Sequence, residues 1–238
     1  LQIGRGETIS DTAKIISGFA SALIVRTFAQ SDVDELGAHS TIPVLNGLTD
    51  TDHPTQLLAD WLTIREVFGS DVSGRKFTYV GDGNNMAHAW LTMGAIMGAH
   101  VVVATPDGKW APAKDAIQSA KNIASKTGAK IEVLTDPEAA AKDASVLYTD
   151  VWMSMGDPEE VRTEKLKALA PFAITKNLMS LTASDSIFMH CLPAHRGEEV
   201  AAEVIDGPKS VIWREAFHRR TTIHAVLYHL VRGELTGN

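Results

Sequence analysis

Cys191 is the only cysteine in the 238 residues, and it stands where the apolar run Ile187-Phe188-Met189 gives way to His190 and then to Leu192-Pro193. A thiol in such a place can handle a proton or attack an electrophile, and it can also pack as a small apolar side chain. The position favours chemistry, because an open parallel sheet places its ligand crevice outside the carboxyl ends of its strands. Other apolar runs also end in polar groups. Arg26 follows residues 22–25, Asn46 follows 42–45, Asp82-Gly83-Asn84-Asn85 comes after 76–80, and Asp150 follows 145–149. If these runs are parallel strands, their polar ends arrive together at one rim.

His53-Pro54-Thr55-Gln56 adds a candidate anion site. Proline suits the first position of a helix, which puts His53 at the helix start and Gln56 on the same face one turn on. The exposed N–H groups and dipole of a helix start favour an anion there, although a polar residue at that place can also be a plain cap. Gly81-x-Gly83 opens like a dinucleotide-binding turn, but Met86 stands where the third glycine belongs. Asn84 and Asn85 either grip the charged groups of an amino acid or serve as ordinary turn residues. Asp150 through Gly156 gathers Trp152, Met153, Ser154 and Met155 behind a buried run, the mixture expected of a mobile lid. Each large side chain taken singly could equally anchor the loop in the core. His190, Cys191 and His195 are zinc-ligand types, yet neighbours in a strand point apart, which argues against that set.

The elements that must position these groups alternate from the outset. A capping pattern at Thr8 to Asp11 begins a helix to about residue 18 or 20, followed by strands over 22–25 and 42–45. A helix follows Pro54, a strand spans 76–80, and a helix rich in Ala and Met runs to about Met97. Strands at 101–104, 130–134, 145–149, 187–189 and 211–213 alternate with helices at 113–126 and 137–142, and a closing helix runs over 218–231. This order predicts an α/β protein with parallel sheets covered by helices on both faces.

Composition bounds the partners. The hydrophobic share of 45% and charged share of 21% are those of a globular protein, and no run is long and apolar enough to span a bilayer. With 29 acidic against 22 basic residues the net charge is −7, so the overall field does not favour nucleic acid, and any phosphate needs a local site. A single cysteine excludes an intrachain disulfide framework and fits a reducing, cytoplasmic compartment. The first residues, Leu1-Gln2-Ile3, carry no methionine or signal segment, so the chain reads as the middle of a longer protein.

Taken together, His53-Pro54-Thr55-Gln56, Gly81-Asp82-Gly83-Asn84-Asn85, Asp150 through Gly156, and His190-Cys191-Leu192-Pro193 resemble the signature set of the ornithine carbamoyltransferases, in order and across essentially the whole chain. Ser154-Met155-Gly156 with His190-Cys191-Leu192-Pro193 is similar to the ornithine rather than the aspartate branch. The family's Ser-x-Arg-Thr-Arg phosphate segment is absent, and the resemblance implies an N-terminal truncation of roughly a quarter of the length of two complete domains. It implies two doubly wound parallel-sheet domains, the first only partly present. Residues 1–58 would be the remnant of the carbamoyl-phosphate domain, 59–215 the ornithine domain, and 216–238 a helix packing back on the first.

The implied reaction moves the carbamoyl group of carbamoyl phosphate to the δ-amine of L-ornithine, giving L-citrulline and phosphate, with no metal or organic cofactor. Arg26, His53, Gln56, Cys191, Leu192 and Arg219 would hold carbamoyl phosphate. Asn85, Asp150, Ser154 and Met155 would hold ornithine. Arg26, His53, Asp150 and Cys191 would act in catalysis, with Cys191 positioning and passing a proton rather than forming an acyl-enzyme. A homotrimer, or a multiple of trimers, is implied for the full-length form. The competing readings are an amino-acid-binding fragment without catalysis, a nucleotide-dependent dehydrogenase, and a carbamoyltransferase for another amine such as putrescine or an acylated ornithine.

Overall fold

The computed structural model describes residues 6–153 and 157–233. Helix α1 (Ile9–Ser17) starts at Thr8, whose hydroxyl accepts the Asp11 N–H, as the capping pattern predicts. Strands β1 (Leu23–Arg26) and β2 (Val44–Leu48) flank α2 (Gln30–His39) and pair in parallel as a two-stranded sheet. Helix α3 (Pro54–Phe68) follows, with proline in its first turn.

The second sheet contains β3 (Lys76–Val80), β4 (His100–Ala104), β5 (Lys130–Leu134), β6 (Val146–Thr149) and β7 (Ile187–His190), all parallel, in the order β5-β4-β3-β6-β7. Between them run α4 (Asn85–Ile96), α5 (Lys114–Thr127), α6 (Pro137–Ala141), α7 (Arg162–Leu169) and α8 (Lys176–Ser180). After β7 come α9 (Ala202–Ile205) and the 20-residue α10 (Ile212–Val231). The expected α/β fold with parallel sheets and flanking helices is what forms.

Strand period decides which side chain meets which layer. Phe77, Tyr79, Val101, Val103, Tyr148 and Met189 face one core with Trp61 of α3 and Trp90 of α4. Their neighbours Val80, Val102, Leu147 and Phe188 face the opposite core under α6, α8 and α9. Burial on both faces explains why these strands read as unbroken apolar runs. From β3 the chain winds outward through β4 to β5, then returns to β6 and moves the other way to β7. The boundary between β3 and β6 is therefore the switch point where an open sheet leaves a crevice.

One sequence expectation needs correction. Residues 211–213 are not a strand, because Ile212 and Trp213 already belong to α10. Its buried residues Ile212, Glu215 and His218 recur every three positions, the period of a helix face on a neighbour, and α10 packs along α3 and against the end of β7. Helices α2, α7, α8 and α9 lie outside the sequence expectation; in α2 only Val33 and Leu36 of ten residues are buried, and they give little pattern.

Gly83 has a steric rather than a ligand-binding reason. A Cβ there would lie 2.3 Å from the Ala111 carbonyl carbon and 2.3 Å from the Pro112 nitrogen, and its own N–H donates to the Trp110 carbonyl. Backbone of residues 110–112 fills the space beside Gly83, so packing accounts for the glycine and it lends the dinucleotide reading no support. Gly83→Ala is expected to cost about 1–3 kcal/mol by forcing that segment away. A thermal unfolding midpoint equal to that of the unsubstituted protein would refute this.

Candidate active site

The switch point opens into a cleft of about 800 Å³. Arg26 from the end of β1, His53 from the start of α3, Asn84 and Asn85 after β3, Asp150 after β6, Cys191 and Leu192 after β7, and Arg219 of α10 all line it. The strand ends therefore converge as their order requires. A second hollow of about 280 Å³ lies where β3 and β4 begin, among Arg65, Asp71, Arg75 and His100, and holds none of these groups.

At the floor, the Cys191 thiol donates to Asp150 Oδ1 at 2.9 Å. Asn84 Nδ2 donates to Asp150 Oδ2 at 2.9 Å, and the Val151 N–H donates to Oδ1 at 2.7 Å. Asn84 is itself held by its cap on α4, where its Oδ1 accepts the N–H groups of Met86 and Ala87. Burial and the Asp150 carboxylate push the Cys191 thiol well above its ordinary range. Because the thiolate is the nucleophilic form, this environment makes Cys191 a proton donor and not an attacking group.

His190, next in the strand, is turned away from the cleft and fully engaged. The Leu192 N–H donates to its Nδ1 at 2.8 Å, so the ring proton sits on Nε2, which lies 3.3 Å from Glu199 Oε1. Its ligand atoms lie near those of Asp150 and Cys191, but the Nδ1 lone pair is already used. His195 belongs to a different group with Glu198 and Glu199, so the three zinc-ligand types weighed from the sequence do not converge. Leu192 takes a left-handed backbone conformation, φ 58°, in the turn that carries Cys191 into the cleft.

His53 is 5% exposed, and its pKa is lowered to about 3, first by burial and then by Arg219 and Arg26. It is thus a neutral imidazole beside two guanidinium groups, a setting that favours an anionic ligand. Between pH 6.5 and 3 the unfolded chain takes up a proton at this residue that the folded chain refuses, so its contribution to stability falls as pH drops through that window. His53→Asn is expected to flatten the decline of the unfolding midpoint between pH 7 and 4. An unchanged pH slope would show that His53 is not held neutral.

Not every expected ligand residue reaches the cleft wall. Asn85 does, with Nδ2 fixed on the Thr49 carbonyl at 2.9 Å. Gln56 is fully buried, and its amide nitrogen bonds Asp60 Oδ1 and Glu215 Oε1 at 2.8 and 3.1 Å. Ser154 and Met155 lie outside the described residues. Lys165, unforeseen from the sequence, lines the cleft at 2% side-chain exposure and reaches Asp82 at 2.7 Å and Asp157 at 2.6 Å. Burial raises Asp82 to about pH 6, with Lys165 opposing it.

Two family models match the chain: the carbamoyl-P binding domain of aspartate/ornithine carbamoyltransferase over residues 1–66, and the Asp/Orn binding domain over 73–230. The chain belongs to the aspartate/ornithine carbamoyltransferase family. It is similar to the ornithine carbamoyltransferase of Pyrococcus horikoshii, 48% identical over 237 residues that cover all of this chain and 74% of that protein. The ornithine carbamoyltransferase of Oceanobacillus iheyensis is 51% identical over 92% of this chain and 67% of its own length. The solved ornithine carbamoyltransferase from Pyrococcus furiosus superposes with a TM-score of 0.92 at 47% identity, over 99% of this chain and 74% of its own. In this aspartate/ornithine carbamoyltransferase chain the cleft draws on both matched segments: Arg26 and His53 fall in the first, Asn85, Asp150, Cys191 and Arg219 in the second.

Proposed function

We propose that the cleft transfers the carbamoyl group of carbamoyl phosphate to the δ-amine of L-ornithine, giving L-citrulline and phosphate. The observation that carries this reading is the facing of two chemistries across one cleft. Arg26, neutral His53 and Arg219 stand at one side, and the Asp150–Cys191 pair at 2.9 Å stands on the floor. The family membership and the ornithine carbamoyltransferase relatives support the same reaction.

In the reaction the amine nitrogen bonds the carbonyl carbon, the carbon–oxygen bond to phosphate breaks, and phosphate leaves with the electron pair and takes up the proton that the attacking nitrogen sheds. Negative charge builds on the carbonyl oxygen, where Arg26 and His53 supply fixed donors. Arg219 balances the phosphate. Asp150 takes the proton that the δ-ammonium must lose before attack, while Cys191, held as a thiol, orients the carboxylate. Asn85, Asp150, Ser154 and Met155 hold the amino-acid end of ornithine, and Leu192 at the cleft wall, with Gln56 buried behind it, completes the carbamoyl site.

We assign residues 1–58 to a carbamoyl-phosphate part, 59–215 to an ornithine part and 216–238 to the returning helix. A trimeric, cytoplasmic enzyme serving arginine biosynthesis completes the reading; one relative at 47% identity, from Pyrococcus furiosus, is named anabolic. Among the described residues no helix is long and apolar enough to cross a membrane. The test is citrulline formation from carbamoyl phosphate and ornithine, with putrescine as the competing acceptor. Product from ornithine alone is expected. Equal rates with putrescine would overturn the acceptor assignment, and ornithine binding without product would favour a binding-only protein.

A further inference from the structure

Gln56, Asp60 and Glu215 are all completely buried where α3 meets α10, beneath a cleft that His53 lines one helical turn earlier. Both hydrogens of the Gln56 amide are committed, one to Asp60 Oδ1 at 2.8 Å and one to Glu215 Oε1 at 3.1 Å. Its Oε1 is buried with no hydrogen-bond partner among the described residues. Turning the amide over would set that oxygen against two carboxyl oxygens, so the acidic pair dictates the orientation. A buried acceptor without a donor is unfavourable and marks a place where a donor can arrive.

The two acids are not equivalent. Glu215 accepts at both oxygens, since its Oε2 takes the His190 N–H at 2.9 Å. Asp60 Oδ2 has no partner among the described residues. A proton held by the pair therefore belongs on Asp60 Oδ2, where it blocks no N–H donor. Burial raises both acids, bringing Asp60 to about pH 7 and pushing Glu215 well above the ordinary carboxylate range, so the pair holds a proton and the free Oδ2 position is what places it on Asp60.

We propose that Asp60 and Glu215 are positioning residues that hold the Gln56 amide with its oxygen available to the NH2 of the carbamoyl group, and that Glu215 ties this arrangement to the main chain beside Cys191. The inference rests on the carbamoyl-transfer reading and deepens it: the acidic pair sets which acyl phosphate the cleft accepts. Acetyl phosphate has a methyl group where carbamoyl phosphate has NH2, so it isolates this contact.

Calorimetric titration with both compounds tests it. The unsubstituted chain is expected to favour carbamoyl phosphate by roughly tenfold or more. Glu215→Gln cannot accept at both positions, so the preference should fall to about twofold. Asp60→Asn should keep it, because the Asn oxygen still accepts from Gln56 and its NH2 donates to Glu215 in place of the proton. A Glu215→Gln chain that retains the preference, equal loss in both variants, or no preference in the unsubstituted chain would overturn the inference. Citrulline formation by the unsubstituted chain, scored separately, decides the functional reading itself. Should Glu215→Gln fail to fold, NMR of the unsubstituted chain decides: the Gln56 side-chain NH2, assigned through Gln56→Met, must exchange slowly with D2O, and rapid exchange refutes the lock.

Discussion

Asp150→Asn is expected to lower kcat for citrulline formation by about 10²–10⁴-fold, the range for loss of a positioned proton acceptor. The amide cannot take the amine's proton, and it cannot accept from Cys191, Val151 and Asn84 at once as the carboxylate does. Cys191→Ser should be milder, since a hydroxyl can still donate to Asp150 while fitting the space less well. Steady-state rates across ornithine concentrations separate the roles: a residue that only held ornithine would raise KM and leave kcat intact. An unchanged kcat for Asp150→Asn in an active protein would remove Asp150 from the proton-transfer step.

The largest expected effect on stability comes from Lys165. Its ammonium is buried with Asp82 and Asp157, and Trp110 lies 5.1 Å below it. Lys165→Met would leave two acids without their cation, one of them almost wholly buried, a change that typically costs about 3–5 kcal/mol. Some of this is recovered by protonation of Asp82, already raised to about pH 6, so the loss should be smaller at pH 5 than at pH 8. Chemical denaturation at both values checks the sign. Equal losses would mean that Asp82 does not take up the proton.

The strands were legible because parallel strands buried on both faces leave unbroken apolar runs, as in residues 101–104 and 187–189. A three-residue run such as 211–213 carries no period, and only the buried spacing of Ile212, Glu215 and His218 reveals the helix. Arg26, Asp150 and Cys191 were readable because each stands at the end of a strand, and His53 because it opens a helix, places where topology forces convergence. Lys165 was not, since it lies in Arg-Thr-Glu-Lys-Leu-Lys, a stretch that looks like any solvated helix face. The Gln56–Glu215 bond joins residues 159 positions apart, and no local pattern records a contact of that kind.

The chain Asn84–Asp150–Cys191 crosses the ends of β3, β6 and β7, three consecutive strands of one sheet. Strand spacing of about 4.8 Å is imposed by main-chain hydrogen bonds, so the reach of these side chains to one another is inherited from the backbone lattice. For protein engineering this separates a fixed chemical chassis from an exchangeable rim. Libraries aimed at new amine acceptors belong at cleft positions such as Val151 and Met153, whose side chains touch the same space without belonging to that relay.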